Sequence, residues 1–216
     1  MTDYNFKTIV ALDNFSVPMA REIIAKYNNE VYGFKMNHTL YPYMGKEYNN
    51  IFCDYKLFDI PNTMCSVIES VINSGAEMMT VHMSNNVDSI EAISQYADKI
   101  KLLGVTFLTS WSHNDVRSVF EKSIYNAYKR SSWMMKKYNF WGMICSPKDL
   151  LLLEKDVPDS HGLKKICPGI RHDVYNTQDQ VRVSTPEYAI EHGADYLVMG
   201  RSFFNKEFIL CPPLRM

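Results

Sequence analysis

Eight short runs rich in β-branched and aromatic residues recur along the 216-residue chain with longer stretches between them, and this alternation constrains the fold most. The runs are KTIVAL (7–12), VYGFKM (31–36), IFCDYKL (51–57), MMTVHM (78–83), LLGVTFL (102–108), FWGMIC (140–145), KKICPGI (164–170) and DYLVMG (195–200). Several intervening stretches carry helical period. Met19, Ile23, Ile24 and Tyr27 share one face of 18–27, and Met64, Val67, Ile68, Val71 and Ile72 share one face of 63–77. Continuously apolar strands alternating with amphipathic helices imply a parallel sheet covered by helices. Eight such units in this length favour an α/β fold of the (β/α)8 TIM-barrel type, with an open doubly wound sheet as the competitor. No GxGxxG or GxxxxGK[ST] follows the first run, which speaks against a dinucleotide or P-loop fold. No repeat, low-complexity tract or linker marks a second domain, so residues 1–216 are expected to form one barrel domain.

Charge narrows the partners. Lys and Arg total 23 against 24 Asp and Glu, a formal net charge of −1, so nothing points to nucleic acid or an anionic membrane. No apolar run approaches the roughly 18 residues of a membrane span. The start, MTDYNFKTIVALDNF, lacks the basic flank and apolar block of a signal peptide. The five cysteines (Cys53, Cys65, Cys145, Cys167, Cys211) include no CxxC pair. Their odd number suits reduced, core-packing thiols in a cytoplasmic protein, and a metal site is not expected from them.

In a barrel the chemistry gathers at the C-terminal strand ends. Here those ends are polar throughout: Asp13, Lys35, Asp54 with Lys56, His82, Thr109 with Ser110, Ser146, Arg171 after Pro168–Ile170, and Gly200 with Arg201 and Ser202. Strand alternation puts Asp54 and Lys56 on one face, and Lys35 on the neighbouring strand can reach Asp54. Such a row keeps each charge beside an opposite one, which suits either a structural salt bridge at the rim or a reactive centre. Gly200 and Arg201, ahead of a segment able to begin a helix, suit a phosphate dianion, or else form a surface turn. The polar loop 171–180 is a candidate lid or a solvated loop.

With these residues in place, the chain resembles the orotidine 5′-phosphate decarboxylase family over nearly its whole length. DYKLFDIPNT (54–63) is similar to that family's DxKxxDI motif and following threonine. ALD on strand 1, LTS after strand 5, CPGIR on strand 7 and MGRS on strand 8 match in order, and Gln180 lies nine residues after Arg171. The resemblance implies conversion of orotidine 5′-phosphate to UMP and CO2 in de novo pyrimidine biosynthesis, with no metal or organic cofactor. It implies a catalytic array of Lys35, Asp54, Lys56 and Asp59, with Lys56 protonating C6. It further implies that Asp59 and Thr63 reach the partner's site in a homodimer. Asp13 and Lys35 would bind the ribose, Ser146 the pyrimidine edge, and Arg171, Gln180, Gly200 and Arg201 the phosphate. Thr109 matches a substrate-contact position.

Three features depart from that pattern. Asn37 stands where the family usually has glycine soon after the lysine. The segment 111–139, expected to supply the fifth crossover, has no matching detail. The chain stops 15 residues after Arg201, with Pro212 and Pro213, so the final helix is expected to be short or missing. The rival readings are a hexulose-phosphate synthase or keto-gulonate-phosphate decarboxylase sibling working through Mg²⁺, and a nucleotide-binding barrel without turnover. His82 reads more simply as a hydrogen-bonded barrel-top residue than as a base. WMMKK (133–137) reads as a helix turn with a solvated basic end.

Overall fold

The structure, a computed structural model, describes residues 4–13, 15–44, 48, 50–172 and 183–204. Each of the eight runs forms a strand: β1 (Thr8–Ala11), β2 (Gly33–Met36), β3 (Ile51–Leu57), β4 (Met78–His82), β5 (Lys101–Val105), β6 (Gly142–Ile144), β7 (Lys164–Cys167) and β8 (Tyr196–Met199). All neighbours pair in parallel, and β1 pairs with β8 through Ile9↔Val198, so the sheet closes into a barrel in sequence order. The open-sheet alternative is thereby excluded.

Period-two alternation builds two cores. Ile9, Phe52, Met78, Leu103, Ile166 and Val198 point inward and pack together in the barrel. Their chain neighbours Val10, Cys53, Met79, Leu102, Cys167 and Leu197 face the helical layer. Inward positions further up the strands are polar: Asp54 follows Phe52, and Thr80 and His82 follow Met78. The apolar layer is thus a floor beneath a charged mouth.

The helical layer comprises α1 (Val17–Tyr27), α2 (Pro61–Asn73), α3 (Val87–Ser94), α4 (His113–Phe120), α5 (Ile124–Lys137), α6 (Leu150–Asp156) and α7 (Pro186–Glu191). In α1 the stripe buries Ala20, Ile23 and Ile24, with Met19 and Tyr27 half-buried. In α2 Met64, Ile68 and Val71 are buried, and Val67 and Ile72 pack at their edge.

Three connections answer the departures noted above. Asn37 opens the β2–β3 connection as an Asx turn, its Oδ1 accepting from the Thr39 N–H (3.1 Å) and hydroxyl (2.7 Å). A 3₁₀ turn follows at Tyr41–Tyr43, and the buried Tyr41 hydroxyl bridges the Val71 carbonyl and the Ala76 N–H, both at 3.1 Å. The segment 111–139 folds as two helices rather than one. Ser112 and Asp115 form a capping box, Glu121 ends α4 in the left-handed region (φ 53°), and Ser123 caps α5. Beyond β8, Phe203 packs on Tyr27 (centroids 5.1 Å apart) and Phe204 on Phe15 (5.2 Å). These rings pack against aromatic side chains of α1 and of the loop before it. The expectation about that helix concerns residues 205–216, which lie outside the described residues, as does Cys211. Cys53, Cys145 and Cys167 are buried free thiols, in keeping with the core-packing reading.

Candidate active site

A line of alternating charge crosses the mouth of the barrel. The Lys35 ammonium is paired with Asp13 Oδ2 and lies 3.0 Å from Asp54 Oδ2, while Lys56 Nζ lies 2.9 Å from Asp54 Oδ1. Register explains the approach: Ala11 is opposite Lys35, and Lys35 is opposite Phe52, two residues before Asp54. Only 8% of Lys35 is exposed. Burial alone would lower its pKa, but Asp54 and Asp13 outweigh that and raise it. Burial would raise the Asp54 pKa, yet the two ammonium groups hold it down at about 2. The two shifts are one ion pair seen from its two ends. Lys56 has the most open side chain of the row, 39% exposed against 10% for Lys35 and 13% for Asp54. Its ammonium is the charge most available to a ligand.

The backbone that presents Lys56 is irregular. Between Cys53↔Met79 and Leu57↔Val81, four residue steps on β3 span only two on β4. Lys56 takes φ 48°, a left-handed conformation costing roughly 1–3 kcal/mol for a non-glycine residue. Buried polar side chains from β4 and beyond hold this stretch. Thr80 accepts from the Lys56 N–H (2.8 Å) and donates to Asp54 Oδ1 (2.9 Å). Asn85 donates to the carbonyls of Leu57 (2.9 Å) and His82 (2.7 Å) and accepts from the Asp59 N–H (3.2 Å). The Ser89 hydroxyl donates to the Asp59 carbonyl (3.1 Å). The sequence reading missed all three. The available signal was polar residues at otherwise apolar positions, Thr80 two residues before His82 among them.

His82 lies beside the row. Its Nδ1 accepts from the Ser84 N–H (3.2 Å), and burial, aided by the Lys56 charge, lowers its pKa. This agrees with a hydrogen-bonded, neutral barrel-top residue. Burial pushes the Cys53 thiol up to about 12, so it stays protonated.

The other expected site residues fall in several places. Asp59 is exposed, caps the Ile60 N–H at 2.7 Å, and among the described residues joins no ion pair. Thr63 is half-buried in the first turn of α2. Thr109 is half-buried in the loop after β5, four residues past the strand end, because β5 stops at Val105. Ser146 is fully buried, its hydroxyl accepting from the Lys148 N–H (3.3 Å). That bond uses one lone pair and leaves the hydroxyl proton available to donate. Arg171 and Arg201 stand on adjacent loops. The Arg171 N–H donates to the Ser184 carbonyl at 2.9 Å, and Ser202, next to Arg201, donates to the Ile170 carbonyl at 2.8 Å. Gly200 begins the turn that carries Arg201. Gln180 and most of the 171–180 loop lie outside the described residues.

Among the described residues no group of three His, Cys, Asp or Glu side chains could hold a metal ion, and no helix is long and apolar enough to cross a membrane. A cavity of about 220 Å³ lies between the tops of β4 and β5 and helices α4 and α5, lined by Met83, Thr106, Phe120 and Arg130 among others. None of the residues of the charged row lines it.

The sequence pattern of the orotidine 5′-phosphate decarboxylase / HUMPS family matches residues 7–207. The orotidine 5′-phosphate decarboxylase of Desulfosudis oleivorans is 32% identical over 211 residues, covering 89% of this chain and 84% of that one. That of Rhodopseudomonas palustris is 33% identical over 205 residues, covering 90% and 86%. A crystal structure of orotidine 5′-phosphate decarboxylase from Lactobacillus acidophilus matches with a TM-score of 0.72 at 26% identity, covering 90% of this chain and 89% of the other. The chain belongs to the orotidine 5′-phosphate decarboxylase / HUMPS family.

Proposed function

We propose that the protein is an orotidine 5′-phosphate decarboxylase that forms UMP and CO2 without a metal or organic cofactor. The observation that carries this reading is the row Asp13–Lys35–Asp54–Lys56, closed across the barrel mouth with the Lys56 ammonium its most open member. Loss of CO2 from C6 of the pyrimidine leaves a lone pair in the ring plane, where the π-system delocalises it poorly. A fixed ammonium beside C6 stabilises that charge as it develops and then supplies the proton. Asp54 keeps Lys56 protonated and aimed, since an adjacent anion favours the charged ammonium. Lys35, locked between two carboxylates, fixes Asp54 in turn. Asp13 Oδ1 is buried and has no hydrogen-bond partner among the described residues, which suits an acceptor for a ribose hydroxyl. Arg171, Arg201 and the Gly200 turn would bind the phosphate, with Gln180, and Thr109 and Ser146 would face the base.

Asp59 and Thr63 would complete the partner's site in a homodimer. Two features support this. Asp59 is exposed and unpaired with Lys56 in its own chain, and its neighbours Phe58 and Ile60 are 63% and 66% exposed, apolar surface that a second copy would cover. The whole chain would work as one barrel domain, and its buried free thiols suit the reducing cytoplasm.

The test is loss of orotidylate ultraviolet absorbance by purified protein in EDTA, beside Lys56→Ala. Turnover by the wild type, reduced by at least about 10³-fold in the variant, is the expected result. Turnover requiring Mg²⁺ would favour the hexulose-phosphate-type branch of the family. Folded wild type that binds UMP but never decarboxylates would favour a binding protein.

A further inference from the structure

Thr80 closes a ring through Lys56. The Lys56 backbone N–H donates to Thr80 Oγ1 (2.8 Å), the Thr80 hydroxyl donates to Asp54 Oδ1 (2.9 Å), and Lys56 Nζ donates to that same oxygen (2.9 Å). One side chain on β4 thereby governs both ends of the lysine, its backbone and, through Asp54, its ammonium. The direction of each bond is forced. A backbone N–H can only donate, an ionised carboxylate can only accept, and a hydroxyl does both.

The ring sits where the backbone needs it. The register shift between β3 and β4 takes the Lys56 N–H out of the regular ladder, and Thr80 Oγ1 stands in as its acceptor. Thr80 is fully buried, so water does not reach the position to replace it. Asn85 and Ser89 hold Leu57 and Asp59 further along the stretch, and Thr80 is the side chain that bonds the N–H of Lys56 itself, at the left-handed turn (φ 48°).

We propose that Thr80 is a positioning residue for the decarboxylation, its hydroxyl locking the Lys56 backbone and one Asp54 oxygen into the register that presents the ammonium to C6. This rests on the role assigned to Lys56 above. Serine can make both bonds. Valine has the shape of threonine and makes neither, so packing is preserved while the ring is cut.

Thr80→Val and Thr80→Ser are compared with wild type for orotidylate turnover, UMP binding and thermal unfolding. The expected result for Thr80→Val is a fall in kcat of roughly 10- to 100-fold, the range for a misplaced catalytic group, with UMP affinity within about threefold. Thr80→Ser restores kcat to within a fewfold of wild type. If Thr80→Val keeps wild-type kcat, or Thr80→Ser is as impaired as Thr80→Val, the proposal is overturned. A second readout needs no turnover. After reductive methylation with ¹³C-formaldehyde, the Lys56 resonance, assigned by its loss in Lys56→Ala, shifts in Thr80→Val and not in Thr80→Ser. An unmoved resonance in Thr80→Val sinks the proposal even in an active enzyme. A shifted resonance in a wild type that never turns over orotidylate keeps the geometry and removes only the reaction.

Discussion

Asp54 neutralises parts of two ammonium groups with one carboxylate, and the sign of that arrangement fixes the response to acid. Its folded pKa, about 2, lies below the roughly 3.9 of an unfolded aspartate, so the folded state prefers it ionised. The resulting stability is fully present above about pH 4. It declines as the pH falls toward 2 and is gone below that, a total on the order of 2 kcal/mol. Lys35, raised in its turn, reports the same pair from the alkaline side, so the contribution is counted once. Asp54→Asn removes the charge and leaves two ammonium groups facing an amide. Urea unfolding should find the variant less stable than wild type at pH 7 by about 2–3 kcal/mol, with the gap closing toward zero near pH 2. A gap independent of pH would show that Asp54 stabilises by packing instead. The row itself was legible in the sequence because inward positions recur every two residues. The role of Thr80 was not, since a polar residue inside MMTVHM marks the position but only the register shift reveals an N–H in need of it.

Elements behave as the periodicity demands where a single face is buried, and depart from it where local capping decides. The stripes of α1 and α2 could be read off residue by residue. The 111–139 crossover could not be read as two helices from apolar spacing. Its break is set by Ser112 with Asp115, by Ser123, and by Glu121 in the left-handed region. The second of these helices, α5, is anchored through chemistry as well as packing. The buried Tyr128 hydroxyl donates to Asp149 Oδ2 at 2.8 Å, tying α5 to the turn after β6 that Ser146 caps. Met135 fills the space that Gly104 leaves on β5, where an added Cβ would come within 2.2 Å of the Met135 methyl. Tyr128→Phe keeps the ring and its contact with Phe107 but removes a donor from a buried carboxylate. A loss of roughly 1.5–3 kcal/mol in urea unfolding, with an unchanged denaturant slope, is the expected outcome. A change under 0.5 kcal/mol would mean that the Asp149 carboxylate is fully satisfied by other contacts. Lost activity at unchanged stability would place α5 in the reaction rather than under it.

At the scale of the whole molecule, one chain supplies a complete barrel and a row of four charges but leaves Asp59 facing outward. Barrel closure was legible in the sequence because eight apolar runs allow few other arrangements. The direction in which Asp59 points depends on the backbone after the register shift, which Asn85 and Ser89 hold from the neighbouring segment. If that carboxylate serves the partner's site, the two lesions Lys56→Ala and Asp59→Ala damage opposite partners of the same composite site. Each homodimer is then inactive at both sites. A hybrid dimer has one site lacking both groups and one site intact, because the intact site draws Lys56 from one chain and Asp59 from the other. Random exchange of equal amounts makes half the dimers hybrids, so activity should return to about a quarter of wild type. Mixing the unfolded variants and refolding them together supplies the exchange, and each variant refolded alone gives the baseline. A mixture no more active than its components would place Asp59 in the service of its own chain. Recovery near one quarter would show that the outward-facing half of the DYKLFD motif belongs chemically to the other subunit, so that the catalytic unit is the pair and not the barrel.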